Sequence, residues 1–219
     1  AFFRDAGRFH THKKTSKLVY HLACTPCSAN SWARDKVFEP VYDSMTKLNA
    51  LVRDLQQLQT AQPYFHAVVF TQHAHAHAQI SDQLRKHGYT VYELSSGCSV
   101  ENRHEHIREF QQGEHKAKVM VITYKTGACG ITLTRATRVY LFEPCIDPSH
   151  EVQAAGRIHR LGQSKEVLVK RFCFRGTIDQ KVVGLHKLIA EGRVEVVDGR
   201  MPAAGVAALC HAKDAGARR

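Results

Sequence analysis

The sequence has neither a long apolar run nor a leader segment. No stretch approaches the roughly 18 consecutive apolar residues that a membrane-spanning helix needs. The chain also does not open with the basic and then apolar segments of a secretory signal. We therefore expect no membrane partner. The chain begins at Ala1 rather than at a methionine, which suggests a fragment of a longer protein.

Cysteine pairs at metal-ligand spacing are scarce. Of seven cysteines, only Cys24 and Cys27 stand at C-x-x-C spacing, so we expect no disulfide framework and favour a reducing compartment, nuclear or cytoplasmic. This spacing is half of a tetrahedral zinc site. Since residues 1–23 contain no cysteine, His10, His12 or His21 would have to complete it. A zinc site at the N-terminus stays open as an alternative.

Positive charge is in excess. The 219 residues include 31 Lys and Arg against 20 Asp and Glu, a formal net charge of +11. Because a basic surface attracts phosphate backbone by counterion release, a nucleic acid is the favoured partner, with a solvated basic surface as the alternative. Hydrophobic residues at 43% and charged residues at 23% are typical of a soluble globular domain.

Strand and helix patterns alternate through the centre of the chain, which predicts an α/β fold: a parallel sheet with helices on both faces. We expect strands at 66–70, 89–94, 118–124, 138–143 and 166–172, and helices from Ser44, over 76–88, 99–113, 149–161 and 177–192.

Three zones follow from this alternation. Residues 1–42 are rich in His and Lys without clear periodicity, and we assign them no defined structure. Residues 43–194 form the predicted domain. The tail over 195–219, rich in Ala, Gly and Arg, is expected to be disordered.

Ligands of parallel sheets bind at the carboxyl ends of the strands, so the loop "KTGACGITLTRA" after the third strand is a candidate site. Gly127 and Gly130 would let backbone approach a ligand, and the hydroxyls of Thr126, Thr132 and Thr134 suit phosphate oxygens. Two glycines in such a loop are, however, more often turn chemistry.

The segment "QAAGRIHRLGQ" (153–163) is more specific. On a continuous helix, a polar stripe and an apolar stripe would each recur at i, i+4 and i+7. These stripes are Gln153, Arg157, Arg160 and Ala154, Ile158, Leu161. Because the guanidinium is always charged and its donor fork matches phosphate oxygens, two arginines on one stripe suit a triphosphate. A solvated helix face is the alternative, and Gly156 argues against it, since glycine inside a helix usually has a packing or approach reason.

This segment resembles motif VI of superfamily-two helicases in their Swi/Snf-type form. "KTGACGITLTRA" resembles motif V, "HAVVFTQ" is similar to motif IV, and "SMTKLNALVRDL" is similar to the helix that precedes motif IV in these DNA translocases. The resemblance covers about residues 44–190.

Within that family, "LFEPCIDPSHEVQAAGRIHRLGQSK" and "TGACGITLTRATRV" look most like the SHPRH group, which joins a Swi/Snf-type motor to a RING ubiquitin ligase. Thr132 stands where most remodellers have asparagine, and Ala128 where they have glycine. "EPCIDP" replaces their tryptophan-containing segment, so remodeller-like DNA contacts at Ile146 are in doubt.

The resemblance implies a RecA-like second motor lobe, the C-terminal lobe of a P-loop NTPase-type helicase. Arg157 and Arg160 would be arginine fingers for ATP held with Mg²⁺ by an N-terminal lobe, in the same or another chain, and Gln153 would help to position that contact. Motif V, at Gly127, Gly130 and Thr132, would couple the nucleotide state to DNA grip.

The resemblance also implies that the chain grips the duplex DNA backbone without reading bases. The residues implied for this contact are Thr71, Gln72, Arg103, Lys125 and Thr126. The longer protein would act in the nucleus in chromatin or DNA repair as an SHPRH-like ubiquitin ligase, with a ubiquitin-conjugating enzyme as a further partner. In that group a RING precedes this lobe, so Cys24 and Cys27 could be a remnant of its zinc ligands.

Two motifs of a complete ATPase are missing from the chain. No glycine is followed by lysine, which excludes a G-x-x-x-x-G-K-[ST] phosphate loop, and no Asp is followed by Glu, the acidic pair that would hold the metal and activate water. We therefore expect no ATP hydrolysis by this chain alone. A non-catalytic nucleic-acid-binding or protein-interaction module that keeps the lobe fold is the alternative. An unrelated βαβ enzyme is disfavoured by motif VI.

Overall fold

The computed structural model describes residues 7–11, 18–22, 45–113, 116–127 and 130–194, for the first two ranges as backbone. The strands are β1 Gly7–Thr11, β2 Leu18–Leu22, β3 His66–Thr71, β4 Thr90–Leu94, β5 Lys118–Thr123, β6 Arg138–Leu141 and β7 Leu168–Arg171. The helices are α1 Thr46–Ala61, α2 Ala74–Lys86, α3 Val100–Gln111, α4 Tyr124–Gly127, α5 Pro148–Gly156 and α6 Ile178–Ala190.

Five of these strands form a parallel sheet in the order β4-β5-β3-β6-β7. β3 and β5 lie at its centre, and every residue of both strands is buried. Burial on both faces explains why their sequences are nearly continuous apolar runs, and it confirms the predicted parallel sheet between two helical layers.

One face of the sheet is covered by α1 and α2. The buried side chains of this layer include Leu51 and Leu55 of α1 and Ile80 and Leu84 of α2. Asp54 of α1 also reaches the sheet, accepting hydrogen bonds from the Tyr140 hydroxyl at 2.7 Å and from Lys170 Nζ at 2.6 Å.

The opposite face is covered by α3 and α5. Phe110 of α3 and Ala154 of α5 pack on this face together with Ile158. The sequence period predicts Val100 on the inward side of its helix and Ile178 on one face with Val182, yet Val100 is 64% exposed and Ile178 is 57% exposed. Each is the first residue of its helix.

The N-terminal strands β1 and β2 pair antiparallel, with Gly7 opposite Leu22 and Thr11 opposite Leu18. No defined structure was assigned to this region because its His and Lys content obscures any period. The aromatic and β-branched residues in "GRFHT" and "LVYHL" are nevertheless typical of strands. The predicted tail over 195–219 lies outside the described residues, and both predicted domain boundaries stay predictions.

Helix α5 is shorter than the sequence pattern indicates. We expected a helix over 149–161, but α5 ends at Gly156. The backbone then tightens: Arg157 and Ile158 donate to carbonyls three residues earlier, His159 still donates to Ala155 O, four residues earlier, and Arg160 donates to Ile158 O, only two residues earlier. The i, i+4, i+7 geometry is therefore lost before Leu161, and the expected apolar stripe is only partly right.

Two apolar residues of the predicted stripe differ completely in their exposure to solvent. Ile158 is 0% exposed and Leu161 is 103% exposed.

No described helix is long and apolar enough to cross a membrane.

Ile158→Ala tests the described path of the chain beyond α5. Because Ile158 is buried in the core, we expect the free energy of unfolding to fall by about 2–5 kcal/mol. Leu161→Ala is the matched control and should change it by less than about 0.5 kcal/mol. Urea denaturation of both variants measures the change. Equal losses of unfolding free energy would contradict the described path and support a continuous helix over 149–161.

Candidate functional site

Two segments that were predicted separately meet in the connections that lead into β6 and β7. One is the motif V loop, residues 131–137, between α4 and β6. The other is the arginine turn, residues 157–163, which follows α5 and precedes β7. Topology brings them together because β6 and β7 are neighbouring parallel strands, so the segments that enter them lie side by side toward the amino edge of the sheet, where Thr137 N donates to His66 O and Leu168 N donates to Thr137 O.

Arg160 joins the two segments through its side chain. Its Nη1 donates to Thr132 Oγ1 at 2.7 Å, and its Nε donates to Gly156 O at 3.0 Å. Arg160 is half-buried, so it is held in place while part of the guanidinium stays accessible. The predicted finger Arg160 and the predicted coupling residue Thr132 are therefore in direct contact.

Arg157 joins the same segments through its backbone. Its carbonyl accepts a hydrogen bond from Leu133 N at 2.9 Å. The neighbouring side chains Leu133 and Ile158 are fully buried, which anchors both segments in the core. The Arg157 side chain is half-buried, whereas Gln153 lies exposed on α5, one turn before it. The structure thus places Arg157 and Arg160 on one turn, and Gln153 at the end of the adjoining helix.

The start of motif V is helical rather than an open loop. Tyr124–Gly127 form the short helix α4, in which Thr126 Oγ1 and Thr123 Oγ1 lie 2.8 Å apart. Thr126 is buried and Lys125 is exposed. Gly130 has φ +57°, a conformation that L side chains rarely adopt. The turn-chemistry interpretation therefore fits Gly130, and contact with a ligand stays a prediction.

The end of motif IV is bound by a buried carboxylate from the chain after β6, which the sequence pattern did not predict. Glu143 Oε1 accepts hydrogen bonds from the Thr71 hydroxyl and from the Gln72 backbone N–H, both at 2.6 Å. Gln72 Nε2 donates to Pro144 O at 3.0 Å. Thr71 is fully buried and Gln72 is exposed. A phosphate contact by the Thr71 or Thr126 hydroxyl would require that side chain to leave its present partner; both assignments stay predictions.

A second buried carboxylate, also missed, holds α5 in place. Glu151 Oε1 accepts from Cys145 N at 2.9 Å, and Glu151 Oε2 accepts from Arg171 Nε at 2.8 Å and from Arg171 Nη2. Glu151 falls on the buried side of α5, next to Ala154 in the helix period. An acidic residue on an apolar stripe was the available signal, and its basic partner in β7 could not be inferred.

Burial controls the chemistry of Cys145. The pKa of its thiol is raised to about 12 in all: burial raises it most, a hydrogen bond with Tyr124 partly offsets this, and the nearby Glu151 and Glu143 carboxylates add to the rise. Burial also raises the pKa of the Tyr124 hydroxyl well above its ordinary value. Both groups are therefore neutral at physiological pH and act in packing rather than as nucleophiles.

No metal centre is visible in the described part of the chain. Within it, no group of three or more His, Cys, Asp or Glu side chains is arranged to hold an ion. Cys24 and Cys27 lie outside the described residues. The zinc pair therefore stays a prediction.

The five-stranded parallel sheet between two helical layers is a RecA-like fold. The chain belongs to the family described as the helicase conserved C-terminal domain, which matches residues 46–162. A crystal structure of the C-terminal part of the Fun30 ATPase domain has the same fold, with a TM-score of 0.59 and 24% identity over 63% of this chain and 44% of that chain.

Curated relatives confirm the resemblance to the Swi/Snf-type helicases and the SHPRH group. E3 ubiquitin-protein ligase SHPRH of Homo sapiens is 32% identical over 142 residues, 65% of this chain and 8% of the relative. DNA repair protein RAD5 of Candida glabrata is 34% identical over 145 residues, which are 64% of this chain and 13% of the relative. Helicase-like transcription factor of Mus musculus is 30% identical over 153 residues, which are 69% of this chain and 15% of the relative. The chain spans less than a sixth of each of these relatives.

Alkylation tests the packing role of Cys145. Since a raised pKa leaves less thiolate at any given pH, and the residue is buried, iodoacetamide at pH 8 should leave Cys145 unmodified in the folded protein. Burial also raises the pKa of Cys173, but this thiol is exposed, so it is the internal control and should react faster than Cys145. Peptide mass mapping gives both rates. Labelling of Cys145 at the Cys173 rate would contradict the described burial.

Proposed function

We propose that this chain is the second motor lobe of a DNA-dependent ATPase and that Arg157 and Arg160 reach the γ-phosphate of ATP held by another RecA-like lobe. The observation that supports this best is the hydrogen bond from Arg160 Nη1 to Thr132 Oγ1. It ties the predicted finger to the loop whose residues are predicted to respond to nucleotide and DNA.

The chemistry of Arg160 fits a phosphoryl group. Its contacts with Gly156 and Thr132 use Nε and Nη1, whereas a guanidinium offers five N–H donors, so donors on Nη2 suit an anion in the cleft. A preorganised cation stabilises charge that develops on the transferred phosphoryl group, and arginine fingers raise rates by about 10³ to 10⁵. Gln153, exposed at the end of α5, would help to orient the phosphate end of the substrate.

The carboxyl edge of the sheet also fits the DNA contact. β3 and β5 pair with Thr71 opposite Thr123, which sets the ends of motif IV and motif V side by side. The exposed Gln72 and Lys125 would bind phosphate without reading bases, together with Arg103 on α3. The net charge of +11 supports the same partner.

The wider protein would combine this motor with ubiquitin transfer in the nucleus. That proposal rests on the likeness to E3 ubiquitin-protein ligase SHPRH and DNA repair protein RAD5. A ubiquitin-conjugating enzyme would then be a partner, and Cys24 and Cys27 would belong to a zinc module. Mass spectrometry of the native chain with and without chelator tests whether zinc is bound there.

Arg160→Ala tests the finger in the longer protein that contains the P-loop lobe. Because the variant removes charge stabilisation from the transition state, DNA-stimulated ATP turnover should fall by about 10³-fold or more, with DNA affinity retained. Arg175→Ala, at an exposed arginine after β7, is the control and should keep full turnover. Equal loss of turnover and DNA binding in Arg160→Ala would mean that the arginine turn is only structural.

The isolated chain should show no ATPase above background, with or without DNA. It lacks both the phosphate loop and the acidic Asp-Glu motif. Phosphate release assays on residues 1–219 measure this. DNA-stimulated turnover by the chain alone would contradict the composite-site proposal.

Lys125→Ala tests the DNA contact. Removing one phosphate contact should weaken binding about uniformly across sequences and reduce the slope of log K against log salt by about one. Lys86→Ala is the control, because Lys86 is also exposed but ends α2 near the opposite edge of the sheet. Fluorescence anisotropy across a salt series gives both slopes, and identical slopes would remove Lys125 from the interface.

A further inference from the structure

Two glutamine side chains hold the backbone of the motif V loop. Gln111 Nε2 donates to Thr132 O at 3.1 Å, and Gln111 Oε1 accepts from Arg135 N at 3.3 Å. Gln163 Nε2 donates to Thr134 O at 2.8 Å and to Ala136 O at 2.9 Å. Gln163 belongs to the arginine turn itself, whereas Gln111 reaches the loop from a different element.

Gln111 is the last residue of α3 and is well placed for this contact. Its neighbour Phe110 is fully buried on the sheet, which fixes the end of the helix. The next residue, Gln112, is exposed, and its backbone carbonyl accepts a hydrogen bond from Lys118 Nζ. The amide of Gln111 therefore meets the loop from a rigid position.

Thr132 accepts hydrogen bonds from both Gln111 and Arg160. Gln111 holds its carbonyl, and Arg160 Nη1 binds its hydroxyl. Since the backbone position of a threonine sets where its hydroxyl lies, a change in the first contact displaces the acceptor of the second.

We infer that Gln111 is a positioning residue for Arg160, acting through Thr132. This inference rests on the proposed function of Arg160 as a finger. α3 also contains Arg103, the predicted DNA contact, so one helix would link the DNA-facing side of the lobe to the nucleotide-facing turn.

Gln111→Glu tests this in the chain itself. The variant keeps the size of the side chain and the acceptor for Arg135 N–H but loses the donor to Thr132 O. We expect the Arg160 Nη1–H that donates to Thr132 Oγ1 to exchange with solvent roughly fivefold faster, the effect of about one neutral hydrogen bond. Gln112→Glu adds the same charge one residue away and should leave the rate unchanged. An unchanged rate in Gln111→Glu, or equal acceleration in both variants, would overturn the inference.

In the longer protein, Gln111→Glu should lower kcat roughly tenfold with the KM for ATP unchanged, because the lost interaction acts in the transition state. Gln112→Glu should retain the parent kcat. Melting temperatures check folding, and Gln111→Met, which has a similar shape but no amide donor, replaces the Glu variant if that variant does not fold. A parent kcat in a folded Gln111 variant would overturn the inference.

A double-variant cycle separates this route from a general effect on packing. Thr132→Val removes the hydroxyl that binds Arg160, so adding Gln111→Glu to it should cost less than about twofold further. A full tenfold further loss would show that Gln111 does not act through Thr132. If Arg160→Ala itself leaves turnover intact, the proposed function fails. If Arg160→Ala abolishes turnover while Gln111→Glu does not change it, only the positioning role fails.

Discussion

The hydrogen bond from Arg160 to Thr132 joins residues 28 positions apart and is the contact on which the candidate site depends. Neither segment has regular secondary structure that would fix it alone. The arginine turn begins where α5 ends, and the motif V loop connects α4 to β6. Each is therefore defined by the other, with Arg157 O holding Leu133 N and Gln163 holding two loop carbonyls.

The sheet provides the rigid frame beneath this pair. β3 and β5 are buried throughout. Glu143, which follows β6, binds the end of β3, and Glu151 of α5 binds Arg171 of β7. Removing one partner from such a buried polar network leaves the other without compensation, so these networks fix a single arrangement.

Sequence patterns predicted the sheet and its layers correctly because their signals are periodic and long. The helix containing Leu51 and Leu55 and the apolar run of β3 each follow one clear period. The predicted end of α5 was wrong because the apolar pattern continues to Leu161. Hydrophobic periodicity does not detect the turn that tightens after Gly156. An open Cβ position at Gly156 also shows that no described neighbour requires a glycine there.

The polar contacts of the site were harder to predict for a physical reason. Gln111 and Gln163 act through hydrogen bonds to backbone carbonyls, and such bonds leave no periodic trace in the sequence. The family resemblance named Arg160 and Thr132 separately; only the fold shows that they touch. The same applies to Thr71 and Thr126, whose residue types suit phosphate although their hydroxyls are buried and bonded within the protein.

The early end of α5 has a consequence for the entropy of the reaction. An arginine on a helix would be restrained by the helix backbone, whereas Arg160 lies on a turn that is restrained mainly by the loop beside it. Ordering a long side chain costs conformational freedom. Here that cost is met during folding, when the turn and the loop bind each other, so in the proposed function Arg160 would meet ATP with much of its rotational freedom already lost. Any motion that separates the loop from the turn would restore that freedom and with it the entropic barrier.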